Sequence, residues 1–336
     1  MKIKATIKEV AKLAQVSTAT VSNVINNTKY VSDEIKKQVY DAMSELNYVP
    51  NTLAKSLRVR ESRLIGVMIS DISNPFFSLV VRGIEDGLAQ AGYNALLCNT
   101  DSNINKEREY LKVLQGKRID GIFVSSSGNS EEYFKEMWQI DIPLVFLNRC
   151  PEPLISDSVS TNNFEGALLA TEHLIKHNYR KIGIITGPQN ISTGRDRFNG
   201  FKQAIKLHDH TLYDHFIKHG DFTIESGYDL MKELLSDSCR PEAVLISNNQ
   251  MTLGAYNYIQ ERGICIPEDL AIIGFDDPEW AAIANPPLTA VRQPAYEQGF
   301  EAAQLMIKKL NNTVDGKPQE IYFSPSLMIR KSCGCR

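Results

Sequence analysis

Two groups of side chains have types and spacings that could do chemistry, and both suit binding rather than catalysis. The first lies in residues 6–26, TIKEVAKLAQVSTATVSNVIN. Thr18, Ala19, Ser22, Asn23 and Asn26 recur at helical spacing on a face free of large apolar residues. Small polar side chains of this kind reach base edges and phosphates in a DNA major groove. The second group is dispersed, and its members share one position: each follows a short apolar run. Asp71, Ser73, Asn74, Phe76 and Phe77 follow the first run, and Asn148 and Arg149 the fourth. Arg195, Arg197, Asp221, Phe222, Asn248, Asn249, Asp276, Asp277 and Gln293 follow later ones. Aromatics flanked by Asn, Asp, Arg and Gln suit a sugar, whose apolar ring face packs on Phe while amides and carboxylates bridge adjacent hydroxyls.

Catalytic signatures are missing. Neither G-x-x-x-x-G-K-[ST] nor G-x-G-x-x-G occurs, which argues against a kinase or dehydrogenase. His208, His210, His215 and His219 lie in a polar stretch between helices and read as a solvated loop. The six cysteines are widely spaced except for Cys333 and Cys335, so they suit neither a disulfide framework nor a zinc site, and the terminal pair reads as a frayed tail. No catalytic residue, metal or cofactor is expected.

The elements that must position these groups follow from periodicity. Thr6 with Glu9 forms a capping box for a first helix, with Ile7, Val10, Ala11 and Ala14 on one face. Gln15 and Val16 carry a turn, Ser17 caps a second helix over residues 18–25, and Val21, Val24 and Ile25 point back at the first. Ser32 is expected to cap a third helix over 33–46 with Ile35, Val39, Ala42, Met43 and Leu46 buried. Pro50 ends this head. A short basic-flanked segment, 51–57, is too short to be a stable helix alone. From Leu64 apolar runs (64–70, 93–98, 121–126, 143–148, 181–186, 243–248, 270–275) alternate with helical patterns (76–91, 106–115, 131–139, 163–177, 194–207, 225–235, 251–262). Such alternation implies parallel sheets covered by helices, here in two lobes, with ligands at the carboxyl ends of the strands and in the cleft between lobes.

The fold class expected is therefore α/β: a small all-α helix-turn-helix head on a two-lobed parallel-sheet core. Residues 1–50 form the head, 51–63 a hinge helix and linker, and 64–336 the core, divided as about 64–162 with 295–320 and 163–293 with 321–330. A length of 336 residues and 43% hydrophobic content accommodate this. The net charge of −3 conceals an asymmetry: residues 1–63 hold 11 Lys+Arg and 6 Asp+Glu, net +5, and the remainder 26 and 34, net −8. A basic head on an acidic body fits a nucleic-acid-binding head, since phosphates are held mainly by charge. Lys8, Glu9 and Lys12 interrupt any apolar signal segment, and no run approaches a membrane span, so a cytoplasmic protein without a membrane partner is expected.

The head, TATVSNVIN, the N-Y-V-P-N hinge and the two-lobed core together resemble the lac repressor (LacI) family of bacterial transcription regulators along essentially the whole chain. The resemblance implies that Thr18 and Ala19 approach base edges with Asn23 as a third reader, and that Ser17, Thr20, Ser22 and Asn26 hold phosphates. Thr6 and Asn51, at helix starts, complete the DNA-binding set with Ala54 and Leu57. Leu57 matches the hinge leucine that wedges into a minor-groove step, with Ala54 beside it. The core is similar to periplasmic sugar-binding proteins, most of all the ribose-binding type. That likeness assigns Asn74, Phe76 and Phe77 to stacking and Arg149, Arg197, Phe222, Asn248, Asp276 and Gln293 to hydroxyls. Asn148 stands where the ribose pattern has Asp, which opens the site to a related sugar or a sugar acid. Asn249 stands where many relatives have Asp.

The function this implies is a sequence-specific regulator, expected to repress a sugar uptake or catabolism operon. It would bind pseudo-palindromic double-stranded operator DNA as a homodimer and be switched by a small sugar effector, with a ribose-like pentose favoured. A secreted sugar-binding uptake protein and a corepressor-driven regulator are the alternatives. A C-terminal apolar heptad tail, which would make a tetramer, is not present in the sequence, so the dimer is expected to form through the core.

Overall fold

The computed structural model describes residues 5–48, 62–128, 137, 142–150, 152, 155–236, 239–311, 313 and 317–335. The expected contacts of Asn51, Ala54 and Leu57, the hinge helix, and the helix expected over 131–139 (of which only Met137 is described) lie outside these residues. The chain divides into two compact units, 1–62 and 63–336.

The head unit contains α1 (Ile7–Leu13), α2 (Thr18–Asn26) and α3 (Asp33–Glu45). Thr6 and Glu9 form the capping box: Thr6 Oγ1 accepts from Glu9 N, and the Glu9 carboxylate accepts from Thr6 N at 2.6 Å. Gln15 turns the chain with φ 51°, and Ser17 Oγ accepts from Thr20 N at 3.0 Å to start α2. Val10, Ala11, Ala14, Val21, Val24, Val31, Val39 and Ala42 form one small core. Ser32 occupies the cap position of α3 but makes no side-chain cap bond; the negative Asp33 and Glu34 in the first turn suit the positive helix end instead.

In the core unit, β1 (Leu64–Ile69), β2 (Asn94–Asn99), β3 (Gly121–Val124), β4 (Leu144–Leu147), β5 (Asp157–Thr161) and β11 (Glu320–Phe323) form an all-parallel sheet ordered β11-β5-β4-β3-β1-β2. A second sheet contains β6 (Ile182–Thr186), β7 (Ile217–His219), β8 (Ala243–Ile246), β9 (Ala271–Phe275), β10 (Thr289–Arg292) and β12 (Ser326–Met328), ordered β12-β10-β9-β8-β6-β7. Only β12 runs antiparallel to its neighbour there.

Helices cover both faces of each sheet, which is why the central strands read as unbroken apolar runs. In the first lobe α4 (Pro75–Gln90) and α11 (Ala295–Leu310) cover one face over Ile65, Val67 and Ile69, and α5 (Ile104–Gly116) lies on the other with Met68 and Ile122. In the second lobe α6 (Asn163–Lys176) and α7 (Ser192–Leu207) cover one face; α8 (Ile224–Ser236) and α9 (Asn249–Glu261) cover the other, with the short α10 (Trp280–Ile283) beside them. Glycines let the α4–α11 pair close up: a Cβ on Gly299 would lie 2.0 Å from Val80 O.

The chain passes between lobes at 162, at 293–294 and at 324–325. The last passage corrects the expected division at 320: β11 pairs with β5, and Ile321 and Phe323 pack on the first lobe's core. The C-terminal tail is not frayed. Ser332 exchanges two bonds with Ile272 and accepts from Thr289 N, and Cys333 is fully buried. No helix among the described residues is long and apolar enough to cross a membrane.

Candidate functional site

On the head, Ser17, Thr18 and Ala19 are exposed, while Thr20, Ser22, Asn23 and Asn26 are half-buried. The polar set is internally ordered. Ser17 and Thr20 hydroxyls share a bond of 2.8 Å, Asn26 Nδ2 donates to Ser22 O at 2.8 Å, and Asn23 Oδ1 accepts from Thr28 Oγ1 at 3.0 Å. Among the described residues Asn23 Nδ2 has no acceptor, whereas Asn26 Nδ2 donates within α2. The αL conformation of Asn27, φ 52°, stops α2 directly after these residues.

In the core, the nine side chains that the resemblance assigns to the effector converge on one cleft of about 460 Å³ between the lobes, whereas Ser73, Arg195, Asn249 and Asp277 do not line it. Asn74, Phe76 and Phe77 enter from the start of α4, just after β1, and Arg149 follows β4. Arg197 lies in the second turn of α7, and Phe222, Asn248, Asp276 and Gln293 follow β7, β8, β9 and β10. Parallel strands aim all these segments at one crevice. The cleft is also lined by Ser70, Asp71, Asp101, Ser102, Asn148, Thr193, Asp221 and Thr223. Thr193, Asp101 and Ser102 escape sequence reasoning because the helix and loop that carry them reach the cleft only through tertiary packing.

Five lining residues hold left-handed backbone: Asp101 (φ 53°), Ser102 (φ 52°), Asn148 (φ 59°), Phe222 (φ 72°) and Asp276 (φ 66°). For Phe222 this costs about 1 kcal/mol or more, and such strain gathers where a side chain must be aimed. Gly187 makes the aim possible: a Cβ there would lie 2.0 Å from Phe222 Cζ, so only hydrogen fits behind the ring.

Two arginines dominate the electrostatics. Arg197 Nε donates to Asn163 Oδ1 at 2.7 Å and Nη1 to Ser247 O, and its guanidinium lies 3.7 Å from the Phe275 ring centre. Arg149 Nη1 donates to Ser102 Oγ at 3.2 Å, and its guanidinium lies 5.6 Å from the Phe222 ring centre. Burial pushes both guanidinium groups down to about 10, opposed by Glu107 for Arg149 and by Asp276 for Arg197. They stay cationic at neutral pH. Asp276 accepts from Gln293 Nε2 and from Asn249 N, so its carboxylate is held in place. Asn248 caps α9 through Oδ1 and donates to Phe222 O at 3.2 Å. Several buried polar atoms at the cleft have no hydrogen-bond partner among the described residues: Arg149 Nε, Asn148 Oδ1, Gln293 Oε1 and Ser70 Oγ.

The lobes are joined across the cleft. Asn249 Nδ2 donates to Asn74 Oδ1 at 2.9 Å, and Gln250 reaches Ser73 Oγ at 3.3 Å. On the other side Arg195 turns away from the cleft and grips Glu152 with two bonds of 2.7 and 2.9 Å. His208, His210, His215 and His219 do not assemble as ligands; among the described residues only His173, Cys333 and Cys335 bring three such atoms together.

A helix-turn-helix head and a two-lobed core with a polar cleft at its strand ends define a class: DNA-binding regulators that answer to a small molecule. Residues 6–51 match the family described as bacterial regulatory proteins, lacI family, and residues 171–333 match the periplasmic binding protein-like domain. The chain belongs to the lacI family of bacterial regulatory proteins. It is a DNA-binding transcriptional repressor and not an enzyme. It is 36% identical to the HTH-type transcriptional repressor PurR of Aliivibrio salmonicida (strain LFI1238) over 98% of both chains, and 36% identical to PurR of Pasteurella multocida (strain Pm70) over 99% of both. Similar solved structures include the lac repressor dimer bound to operator and the anti-inducer ONPF (TM-score 0.88, 26% identity, 98% of this chain and 99% of that one). The complex of the regulator CelR with cellobiose is another (TM-score 0.75, 29% identity, 98% and 99%). A third is a putative ribose operon repressor from Burkholderia thailandensis (TM-score 0.72, 29% identity, 79% and 98%).

Proposed function

We propose that this repressor binds a pseudo-palindromic operator as a homodimer, and that a small polyhydroxylated ligand in the interlobe cleft sets its operator affinity. The observation that carries the ligand reading is the cleft's unpaired polar lining. A buried donor or acceptor without a partner costs about 1–3 kcal/mol, which a ligand with several adjacent hydroxyls recovers and an apolar one does not. Phe76 and Phe222 supply faces for a ring, and Arg149, Arg197, Asn248, Asp276 and Gln293 supply the polar contacts. A ribose-like pentose is the favoured ligand. The likeness to a cellobiose-bound regulator and to a putative ribose operon repressor supports the sugar class. The two cationic arginines also favour a sugar acid within that class.

Two aromatic residues in the cleft lining, Phe76 and Phe222, together with the likeness to PurR repressors, support a second reading, a planar nitrogen heterocycle such as a purine base. In the head, Thr18, Ala19 and Asn23 take base edges, and Thr6, Ser17, Thr20, Ser22 and Asn26 take phosphates. Asn51, Ala54 and Leu57 complete the DNA contact from the hinge. Ligand closing the lobes shifts the paired first lobes and, through the hinges, weakens operator binding, so that ligand induces; a corepressor would use the same linkage with opposite sign. Such a protein works where the chromosome is, in the cytoplasm.

A thermal-shift screen of the full chain against pentoses, hexoses, sugar acids and purine bases tests the ligand class, because a ligand bound only by the native state raises the midpoint. Stabilisation by a pentose or sugar acid supports the proposal. Stabilisation by a purine base alone selects the second reading, and stabilisation by no polar small molecule overturns both.

A further inference from the structure

The end of the chain carries a second cluster unrelated to the cleft. His173 lies in the last turn of α6, and His177 caps that helix's C-terminus. Cys333 and Cys335 face them from the C-terminal segment. Cys333 Sγ lies 3.2 Å from His173 Nε2 and 3.4 Å from Cys335 Sγ. Cys335 Sγ lies 3.4 Å from His173 Nε2 and 3.0 Å from His177 Nε2. The ligand atoms of His173, Cys333 and Cys335 all fall within 4.8 Å of one another.

We propose that His173, His177, Cys333 and Cys335 form a structural zinc(II) site that staples the C-terminal segment to α6. A tetrahedron with Zn–S of about 2.3 Å and Zn–N of about 2.0–2.1 Å has edges of about 3.3–3.8 Å. The three separations among His173, Cys333 and Cys335 (3.2, 3.4 and 3.4 Å) fall within about 0.1 Å of that range, so a small outward shift admits the ion; His177, which touches only Cys335 and lies outside the set within 4.8 Å, reaches the fourth position by rotating its exposed side chain. A donor set of two sulfurs and two imidazole nitrogens selects zinc over the harder cations, and zinc binding sends the remaining thiol protons to solvent. The two histidines are four residues apart on one helix face, and the two cysteines are separated by a glycine. Gly334 has φ +88°, which a side chain would resist, and a Cβ there would lie 2.6 Å from the Tyr179 hydroxyl. That turn aims both sulfurs at α6. A second layer is in place as well: Thr289 Oγ1 donates to Cys333 Sγ at 3.1 Å, and Ser332 anchors the segment to β9 and β10.

The test is zinc stoichiometry of the full-length protein, reduced, supplied with one equivalent of zinc and desalted, together with the absorption of its cobalt(II)-substituted form. The expected result is about one zinc per chain and a cobalt spectrum with thiolate charge-transfer bands and intense tetrahedral d–d bands. Cys335→Ser and His177→Asn, both on partly or fully exposed side chains, should weaken zinc binding at least about tenfold in competition with a chromophoric chelator. Cys265→Ser, an exposed cysteine elsewhere, should not. Circular dichroism of each variant reports whether the fold is kept. Failure to retain zinc, a disulfide between Cys333 and Cys335 in the freshly isolated protein, or undiminished zinc binding by folded Cys335→Ser and His177→Asn would each overturn the proposal. None of these outcomes bears on the cleft.

Discussion

Asn249 Nδ2 donates to Asn74 Oδ1 across the cleft at 2.9 Å, joining the first turn of α9 in one lobe to the cap of α4 in the other. The same Asn74 oxygen accepts from Phe76 N at 2.9 Å, so one atom both caps the helix that presents the aromatic residues and latches the lobes. Asn249→Ala removes the latch alone. A typical hydrogen bond contributes about 0.5–1.5 kcal/mol, so ligand affinity should fall by about 2- to 10-fold. Asn249→Asp should cost more, because its carboxylate opposes the Asn74 oxygen unless that amide flips and gives up the α4 cap. Calorimetric titration of the two variants checks the order, and tighter ligand binding by the Asn249→Asp protein than by the Asn249→Ala protein would contradict it.

Gly187→Ala tests how Phe222 is positioned. The added methyl would fall 2.0 Å from the ring, and the ring already sits on strained backbone, so it must move. Ligand affinity should drop at least about tenfold, the scale of losing an aromatic face of about 1.5 kcal/mol. Operator affinity without ligand should stay at the wild-type value. Equal losses in both assays would mean that the substitution simply unfolds the second lobe.

Glu107 makes stability pH-dependent. It is fully buried on α5; burial pushes its carboxyl up to about 7, against the opposing bonds from Ser127 and the charge of Arg149. Between about pH 4.5 and 7 the folded state keeps a proton that the unfolded chain has released. This residue's contribution to stability therefore falls as pH rises through that window and levels off above it. A shift of this size corresponds to about 3 kcal/mol. Glu107→Gln should gain stability relative to wild type on going from about pH 4.5 to about pH 8 in urea melts; a difference constant with pH would refute the assignment.

The basic head should make operator binding strongly salt-dependent, with log affinity against log salt falling by roughly 0.9 per phosphate neutralised. Thr6→Ala, which breaks the capping box, should destabilise the head by about 1 kcal/mol. A flat salt response measured by fluorescence anisotropy would remove the head from the contact.

Much of this architecture is readable from residue order because local and tertiary preferences agree. Leu64–Ile69 is apolar throughout since helices cover both of its faces, and Thr6 with Glu9 marks the head's first helix without ambiguity. Parallel strands place their following residues in one crevice, so Asn74, Arg197, Phe222 and Asp276 can be grouped before any contact is known. What stays hidden depends on partners far away in the chain. Strand β5, DSVST, is absent from the apolar runs because it buries polar residues, two of which are satisfied by remote groups: Asp157 takes Lys309 Nζ and Gln319 N, and Thr161 takes Gln298 Nε2. The terminal cysteines look frayed because their packing partners, α6 and Thr289, are distant in sequence.

The central claim is that the interlobe cleft controls operator binding, and Asp276→Ala tests it most directly. Asp276 accepts from Gln293 and Asn249 and faces the cleft, far from the head unit in sequence. The measurement is operator affinity of wild type and Asp276→Ala, each with and without a saturating concentration of the ligand that stabilises wild type. Wild type should show a ligand-induced change of at least about tenfold, or about 1.4 kcal/mol. Asp276→Ala should bind operator like ligand-free wild type and ignore the ligand. A variant that keeps the full ligand response would contradict cleft control.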